Sequence, residues 1–254
     1  MCGIVGAAAK ENIVGVLIEG LKRLEYRGYD SAGLSFLDEK GALHVHKHEG
    51  KVKNLVNSLV VVPNKGSIGI AHTRWATHGA PSEINAHPQK SSDITVVHNG
   101  IIENYVDLRK EMQKRGYNFV SNTDTEVVAH LIHYNFSKAS SLKIAVQKTI
   151  ARLNGAYALG VMCGREPGVI IGTRSGSPLV LGIGKNGNFI ASDQMALRQV
   201  TNKFIFMEEG DLVELQDSSY SLLDLFGNAV EREIVIISTA DEIAEKGNYK
   251  HFMH

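Results

Sequence analysis

The second residue of this chain is a cysteine, in Met1-Cys2-Gly3-Ile4-Val5-Gly6. Removal of the initiator methionine, which a small neighbouring side chain permits, leaves Cys2 with both a thiol and a free α-amine. A thiol titrates at about 8.5 and an α-amino group at about 7.7–8.0. The residue then carries its own near-neutral base, the logic of threonine–N-terminal-amine nucleophiles, and needs no histidine partner. An uncleaved Met1 would leave that chemistry incomplete. The plainer alternative is a small, buried, unreactive cysteine.

Three polar clusters stand at the ends of apolar stretches, where they have little reason to be unless they face a cleft. Residues 25–33 read Glu-Tyr-Arg-Gly-Tyr-Asp-Ser-Ala-Gly, an ordered loop in which Arg27 and Asp30 could form an ion pair. Residues 72–79 read His-Thr-Arg-Trp-Ala-Thr-His-Gly. Arg74 there offers a planar fork suited to a carboxylate, among hydroxyls, histidines and the chain's one tryptophan. A surface arginine beside a half-buried tryptophan is the competing reading. Residues 98–104 read His-Asn-Gly-Ile-Ile-Glu-Asn after an apolar strand. The Asn99 side-chain amide and the Gly100 N–H would be two donors able to meet at one point as an oxyanion hole. A plain Asn-Gly turn explains the same residues.

These clusters need a frame. Residues 3–9 are small and apolar and predict a buried strand. Ile13, Val14, Leu17, Ile18, Leu21 and Leu24 recur at spacings of three and four and predict a helix over 12–26. Strands are expected at 31–37, 43–48, 68–72 and 94–98, the first two joined by a turn at 38–41, and a helix at 103–115. Thr123 and Glu126 have the spacing of a capping box ahead of a helix. Another helix is expected at 141–153, then strands at 156–162, 168–174, 179–183, 188–192, 203–207, 211–216 and 220–224. Lys185-Asn186-Gly187 should turn one hairpin. Helices between hairpin-linked strands predict an α+β chain of mostly antiparallel sheets with helices on their outer faces.

With 43% hydrophobic and 21% charged residues, the 254-residue chain has the composition of a globular protein. Its formal net charge of zero gives no footprint for nucleic acid or an anionic membrane. No apolar run is long enough to span a bilayer, and no secretory signal opens the chain. Two distant cysteines, Cys2 and Cys163, suit a reducing, cytoplasmic setting. Gly182-Ile183-Gly184 lies inside a hairpin and is a poor nucleotide loop. His44, His46 and His48 alternate on one strand face without an acidic or thiol companion and are expected at the surface, so neither a metal nor a cofactor is expected.

Taken together, the four segments at 1–6, 25–33, 72–79 and 98–104 resemble the N-terminal glutaminase domain of the glucosamine-6-phosphate synthase family, a class II glutamine amidotransferase. Ser-Asn-Thr-Asp-Thr-Glu at 121–126 and Arg-Ser-Gly-Ser-Pro-Leu at 174–179 extend the resemblance over the chain. It implies the N-terminal-nucleophile hydrolase fold, a four-layer αββα sandwich of two mostly antiparallel sheets flanked by helices. It also implies that Cys2 attacks the side-chain amide of L-glutamine, with Asn99 and Gly100 as oxyanion hole. Arg74 would hold the substrate α-carboxylate with help from Thr77 and His78, and Asp124 the α-ammonium. Trp75 would belong to a loop closing over the substrate. His72, His87 and His98 would be scaffolding and Cys163 a buried bystander. The glutaminase unit would be residues 1–240, and 241–254 the start of a linker to a sugar-phosphate isomerase domain, which would bind fructose 6-phosphate and is absent from this sequence. The full-length enzyme would be a homodimer, the isolated domain a monomer. The glutaminase domain of another class II amidotransferase, or a glutamine-sensing module that does not hydrolyse, are the competing readings.

Overall fold

The computed structural model describes residues 2–59, 65–76 and 78–237. Thr77 and the expected linker at 241–254 lie outside the described residues. In chain order the strands are β1 (Gly3–Ala9), β2 (Ser31–Asp38), β3 (Leu43–Glu49), β4 (Gly66–Arg74), β5 (Gln89–Ser91), β6 (Ile94–Ile102), β7 (Gly155–Cys163) and β8 (Ile170–Ser175). They continue as β9 (Val180–Ile183), β10 (Gly187–Ala191), β11 (Lys203–Phe206), β12 (Leu212–Leu215), β13 (Tyr220–Leu223), β14 (Ala229–Val230) and β15 (Val235–Ile236). The α-helices are α1 (Val14–Leu24), α2 (Val52–Leu59), α3 (Tyr105–Lys114), α4 (Asp124–Phe136) and α5 (Leu142–Ile150). One sheet runs β15-β11-β9-β10-β1-β4-β2-β3 and the other β14-β13-β12-β8-β7-β6-β5. Neighbouring strands pair antiparallel throughout.

Strand periodicity builds the layers. On β1, Val5, Ala7 and Ala9 pack against Val14, Leu17 and Leu21 of α1 and Leu55 of α2. The alternate residues Ile4 and Ala8 join Ile68, Ile70, Val97, Ala158 and Ile190 in a second core between the sheets. On the far side, Val96, Leu159 and Val161 meet Met112 of α3, Val127 and Leu131 of α4, and Ala145 of α5. Because successive strand residues face opposite ways, one sheet can bury both faces and feed two cores. Three cores between four layers make the αββα sandwich that the resemblance implies. Leu17 and Leu21 are fully buried, each contributing about 1.5–3 kcal/mol of transfer free energy.

α4 starts as its cap predicts, with Thr123 Oγ1 accepting from the Glu126 N–H at 3.3 Å. The reciprocal half differs. The Glu126 carboxylate accepts from the N–H groups of Val120 and Ser121, at 2.8 and 2.7 Å, and so ties down the incoming loop rather than the cap residue. β4 and β6 also run past their expected ends, to Arg74 and Ile102, and these extensions carry the candidate site residues Arg74, Asn99 and Gly100. The three alternating histidines are half-buried rather than at the surface. The rings of His44 and His46 stack on Phe36, and His44 Nε2 lies 2.9 Å from Asp38 Oδ2, a carboxylate from the neighbouring strand.

Candidate active site

The same alternation places the candidate nucleophile. Cys2 has the parity of Ile4, so it falls on the inter-sheet side at the mouth of that layer. On β4, His72 and Arg74 share the parity of Ile68 and Ile70, and β1 pairs Ile4 with His72. On β6, Asn99 follows Val97 onto the same inner layer from the opposite sheet. Three strands of two sheets thus converge on one point.

There, the Asn99 side-chain amide donates to the Cys2 carbonyl oxygen at 3.2 Å. The Trp75 N–H donates to Cys2 Sγ at 3.1 Å, and the thiol lies 3.5 Å from the Trp75 carbonyl oxygen. Burial raises the Cys2 pKa above its usual value, partly offset by the Trp75 N–H. The resting group is therefore a thiol that needs a base. Cys2, Arg27, Trp75, Asn99, Gly100, Ile101, Ser177 and Pro178 line a cavity of about 400 Å³, room for an amino-acid side chain.

Asn99 and Gly100 do not form a turn. They lie within β6, paired with Ala158 and Tyr157 of β7, and the chain reaches α3 only at Tyr105. Gly100 has φ +126°, and a Cβ there would sit 2.0 Å from the Ala156 carbonyl oxygen, so only glycine fits. Gly28, at φ +77°, is likewise required because a Cβ would meet the Trp75 ring at 2.3 Å. The loop at 25–33 is therefore the bed on which Trp75 lies. Arg27 does not pair with Asp30 but with Asp193, 166 residues away, and is held by the Tyr26 hydroxyl at 3.2 Å.

Asp30 serves the second cluster instead, accepting from the Ala76 N–H and lying 3.8 Å from Arg74 Nη1. Arg74 is only 3% exposed. Its Nη2 donates to the carbonyls of His78 and Gly79, which folds the loop after β4 around it. Nη1 is buried and makes no hydrogen bond among the described residues. A buried guanidinium with a spare donor is suited to an anion. The ring of His78 meets Tyr105 edge-on at 5.0 Å. Asp124, the first residue of α4, is 4% exposed and accepts from the Ile102 N–H at 2.9 Å, two residues beyond Gly100. Of the expected site residues, Cys2, Trp75, Asn99 and Gly100 line the cavity, whereas Arg74, His78 and Asp124 stand outside its walls. Arg27, Ser177 and Pro178 line it without having been assigned a role from the sequence, although all three fall in segments that carry the resemblance.

His72, His87 and His98 gather behind the site. The His72 and His87 ring centroids are 4.4 Å apart, and those of His87 and His98 6.5 Å. Burial drives His72 down to about 3, His87 well below the usual histidine range, and His98 downward too. The hydrogen bonds of Cys2 Sγ run to the backbone of Trp75 rather than to any of these rings. Cys163 is buried 3.3 Å from Asp93 Oδ2 and is pushed up to about 12, chiefly by burial.

The family described as glutamine amidotransferase domain matches residues 72–199. Glutamine–fructose-6-phosphate aminotransferase (isomerizing) from Pseudomonas aeruginosa is 54% identical over 254 residues, all of this chain. The enzyme of the same name from Escherichia coli is 50% identical over 253 residues. The chain spans 42% of the length of each of these relatives. Among solved structures, glutamine phosphoribosylpyrophosphate amidotransferase from B. subtilis is similar with a TM-score of 0.77 and 26% identity, over 90% of this chain and 50% of that one. With Cys2 at the mouth of an αββα sandwich and the match running from β4 into the second half of the fold, the chain belongs to the glutamine amidotransferase domain family.

Proposed function

We propose that this chain hydrolyses L-glutamine to L-glutamate and ammonia, with Cys2 as nucleophile once Met1 has been removed. The observation that carries this reading is the meeting of Cys2 and the Asn99 amide, 3.2 Å from the Cys2 carbonyl, at one cavity. The freed α-amine takes the thiol proton, through a water, and Sγ adds to the side-chain amide carbon. The carbonyl electron pair moves to oxygen, where Asn99 Nδ2–H and Gly100 N–H receive the charge. One Nδ2 hydrogen is engaged with the Cys2 carbonyl, which leaves the second for the oxyanion. Collapse breaks the C–N bond, the ammonium form of the α-amine returns the proton, and ammonia leaves a thioester. Water adds to the thioester and releases glutamate and the thiol.

The substrate is a zwitterion, so its recognition requires a cation and an anion at fixed separation. Arg74, with its spare Nη1, takes the α-carboxylate, aided by Thr77 and His78; Asp124 takes the α-ammonium; Trp75 covers the cavity. The 54% and 50% identical relatives support a sugar-phosphate amidotransferase over the other class II enzymes. In that reading residues 1–240 are the glutaminase unit. Residues 241–254 lead to an isomerase domain in which the ammonia is transferred to fructose 6-phosphate, within a cytoplasmic homodimer. Among the described residues, no helix is long and apolar enough to cross a membrane.

The test is to incubate the chain with L-glutamine and measure glutamate and ammonia while recording the intact mass. Stoichiometric release from the form lacking Met1, and none from a form retaining it, is expected. A Met-free, folded chain that binds glutamine without releasing ammonia would favour the sensing module instead.

A further inference from the structure

A carbonyl oxygen only accepts hydrogen bonds, so the Asn99 atom facing the Cys2 carbonyl is its amide nitrogen. The other end of that amide is therefore the oxygen, and it lies 2.9 Å from His72 Nε2. That oxygen also only accepts, which requires Nε2 to carry a proton. The tautomer of His72 thus follows from the Cys2 backbone. His72 is fully buried and reaches from β4 of one sheet to β6 of the other. Held down to about 3 by its burial, the ring is neutral at physiological pH and has a single proton to place, the one Asn99 uses.

We propose that His72 is a positioning residue for glutamine hydrolysis: its Nε2–H fixes the Asn99 side-chain amide with the NH₂ end toward Cys2, so that the oxyanion hole is preset before substrate arrives. This rests on Asn99 being an oxyanion donor, as proposed above. An Asn amide is nearly symmetrical in shape, and rotation by 180° about its last torsion exchanges donor for acceptor. With the rotated amide, an oxygen would face the developing negative charge. His72 holds the amide oxygen on its own side and so excludes that state. Its effect should fall on the transition state, where the donor matters, and hardly on ground-state binding.

The experiment compares His72→Leu, His72→Gln and His72→Asn in the full chain, alone and with Asn99→Ala. A glutamine side chain can place its amide nitrogen near the position of Nε2, whereas asparagine reaches only that of Nδ1. His72→Leu should lower kcat by about 10–100-fold with KM changed less than about threefold, a fraction of the ~10²–10³ lost with a whole oxyanion donor. His72→Gln should recover to within about fivefold of wild type, and His72→Asn should not. In the Asn99→Ala background, His72→Leu should cost less than about twofold more. Thermal melting and the rate of Cys2 alkylation report on the fold of each variant. If the Leu variant does not fold, the Gln and Asn variants decide the matter between them.

A folded Leu variant with kcat within twofold of wild type would overturn the proposal. Equal loss in the Gln and Asn variants would do so too, as would an undiminished effect of His72→Leu when Asn99 is already alanine. A Met-free wild-type chain that releases no ammonia would instead overturn the underlying hydrolase reading, and this proposal with it.

Discussion

Buried neutral histidines make this fold acid-sensitive over a window set by their own titration. In the unfolded chain His72 titrates near 6.5, and in the folded chain burial holds it to about 3. Between those values the unfolded chain binds more protons, so stability falls as the pH drops below 6.5. At about pH 5 the group is one and a half pH units below its unfolded value, and each unit is worth about 1.36 kcal/mol, or ~2 kcal/mol from His72 alone. His87 and His98 are lowered by burial in the same direction and add to the loss. The partnered carboxylates of Asp93, Glu111 and Glu126 are lowered too, but theirs is stability lost only as the pH falls below the ordinary carboxylate range. The interval from about pH 7.5 to 5 therefore isolates the histidines. Urea unfolding followed by circular dichroism at both pH values, in wild type and His72→Gln, measures the effect. Wild type should lose ~2 kcal/mol more than the variant over this interval. Parallel losses, agreeing within about 0.5 kcal/mol, would refute the assignment of His72 as a histidine held neutral by burial.

Replacing Asn99 by alanine should lower kcat by about 10²–10³-fold and weaken glutamine binding far less; single-turnover kinetics beside a melting curve separates this from a merely structural loss. Arg74→Lys should raise KM about tenfold or more with a smaller change in kcat, because a point charge replaces a bidentate fork; an unchanged KM would remove Arg74 from the carboxylate pocket. Gly100→Ala should destabilise by at least ~3 kcal/mol, through positive φ and collision with the Ala156 carbonyl, and a shifted urea midpoint would report it.

Much of this architecture is legible because strand and helix periods were clean. The apolar spacing from Ile13 to Leu24 gives α1 to within two residues at each end, and the continuous apolar run at 3–9 gives β1 as a buried strand. What escaped was either short or non-local. α2 is eight residues, with Val52, Leu55 and Leu59 buried between polar neighbours, too brief a pattern to stand out. β5 reads Gln-Lys-Ser and exists only through pairing with β6. Asn99 and Gly100 have the local preference of a turn, yet pairing with β7 carries β6 through them. Arg27 has an acidic neighbour three residues on but finds Asp193 across the fold, while Asp30 is drawn to the loop after β4. Residue types pointed to the candidate site's members, of which Cys2, Trp75, Asn99 and Gly100 meet at one cavity; the bond from His72 to Asn99, across two sheets, was not readable.

The central claim is that Cys2, and no other group, forms the bond to substrate. A diazo-ketone analogue of glutamine, reacted with the Met-free chain and mapped by peptide mass spectrometry, tests it most directly. One adduct on Cys2 is expected, slowed by added glutamine, with none on Cys163, which is buried and pushed up to about 12. In Cys2→Ala, adduct and ammonia release should both vanish while glutamine still binds. An adduct on Cys163, or turnover by Cys2→Ala near the wild-type rate, would contradict the account.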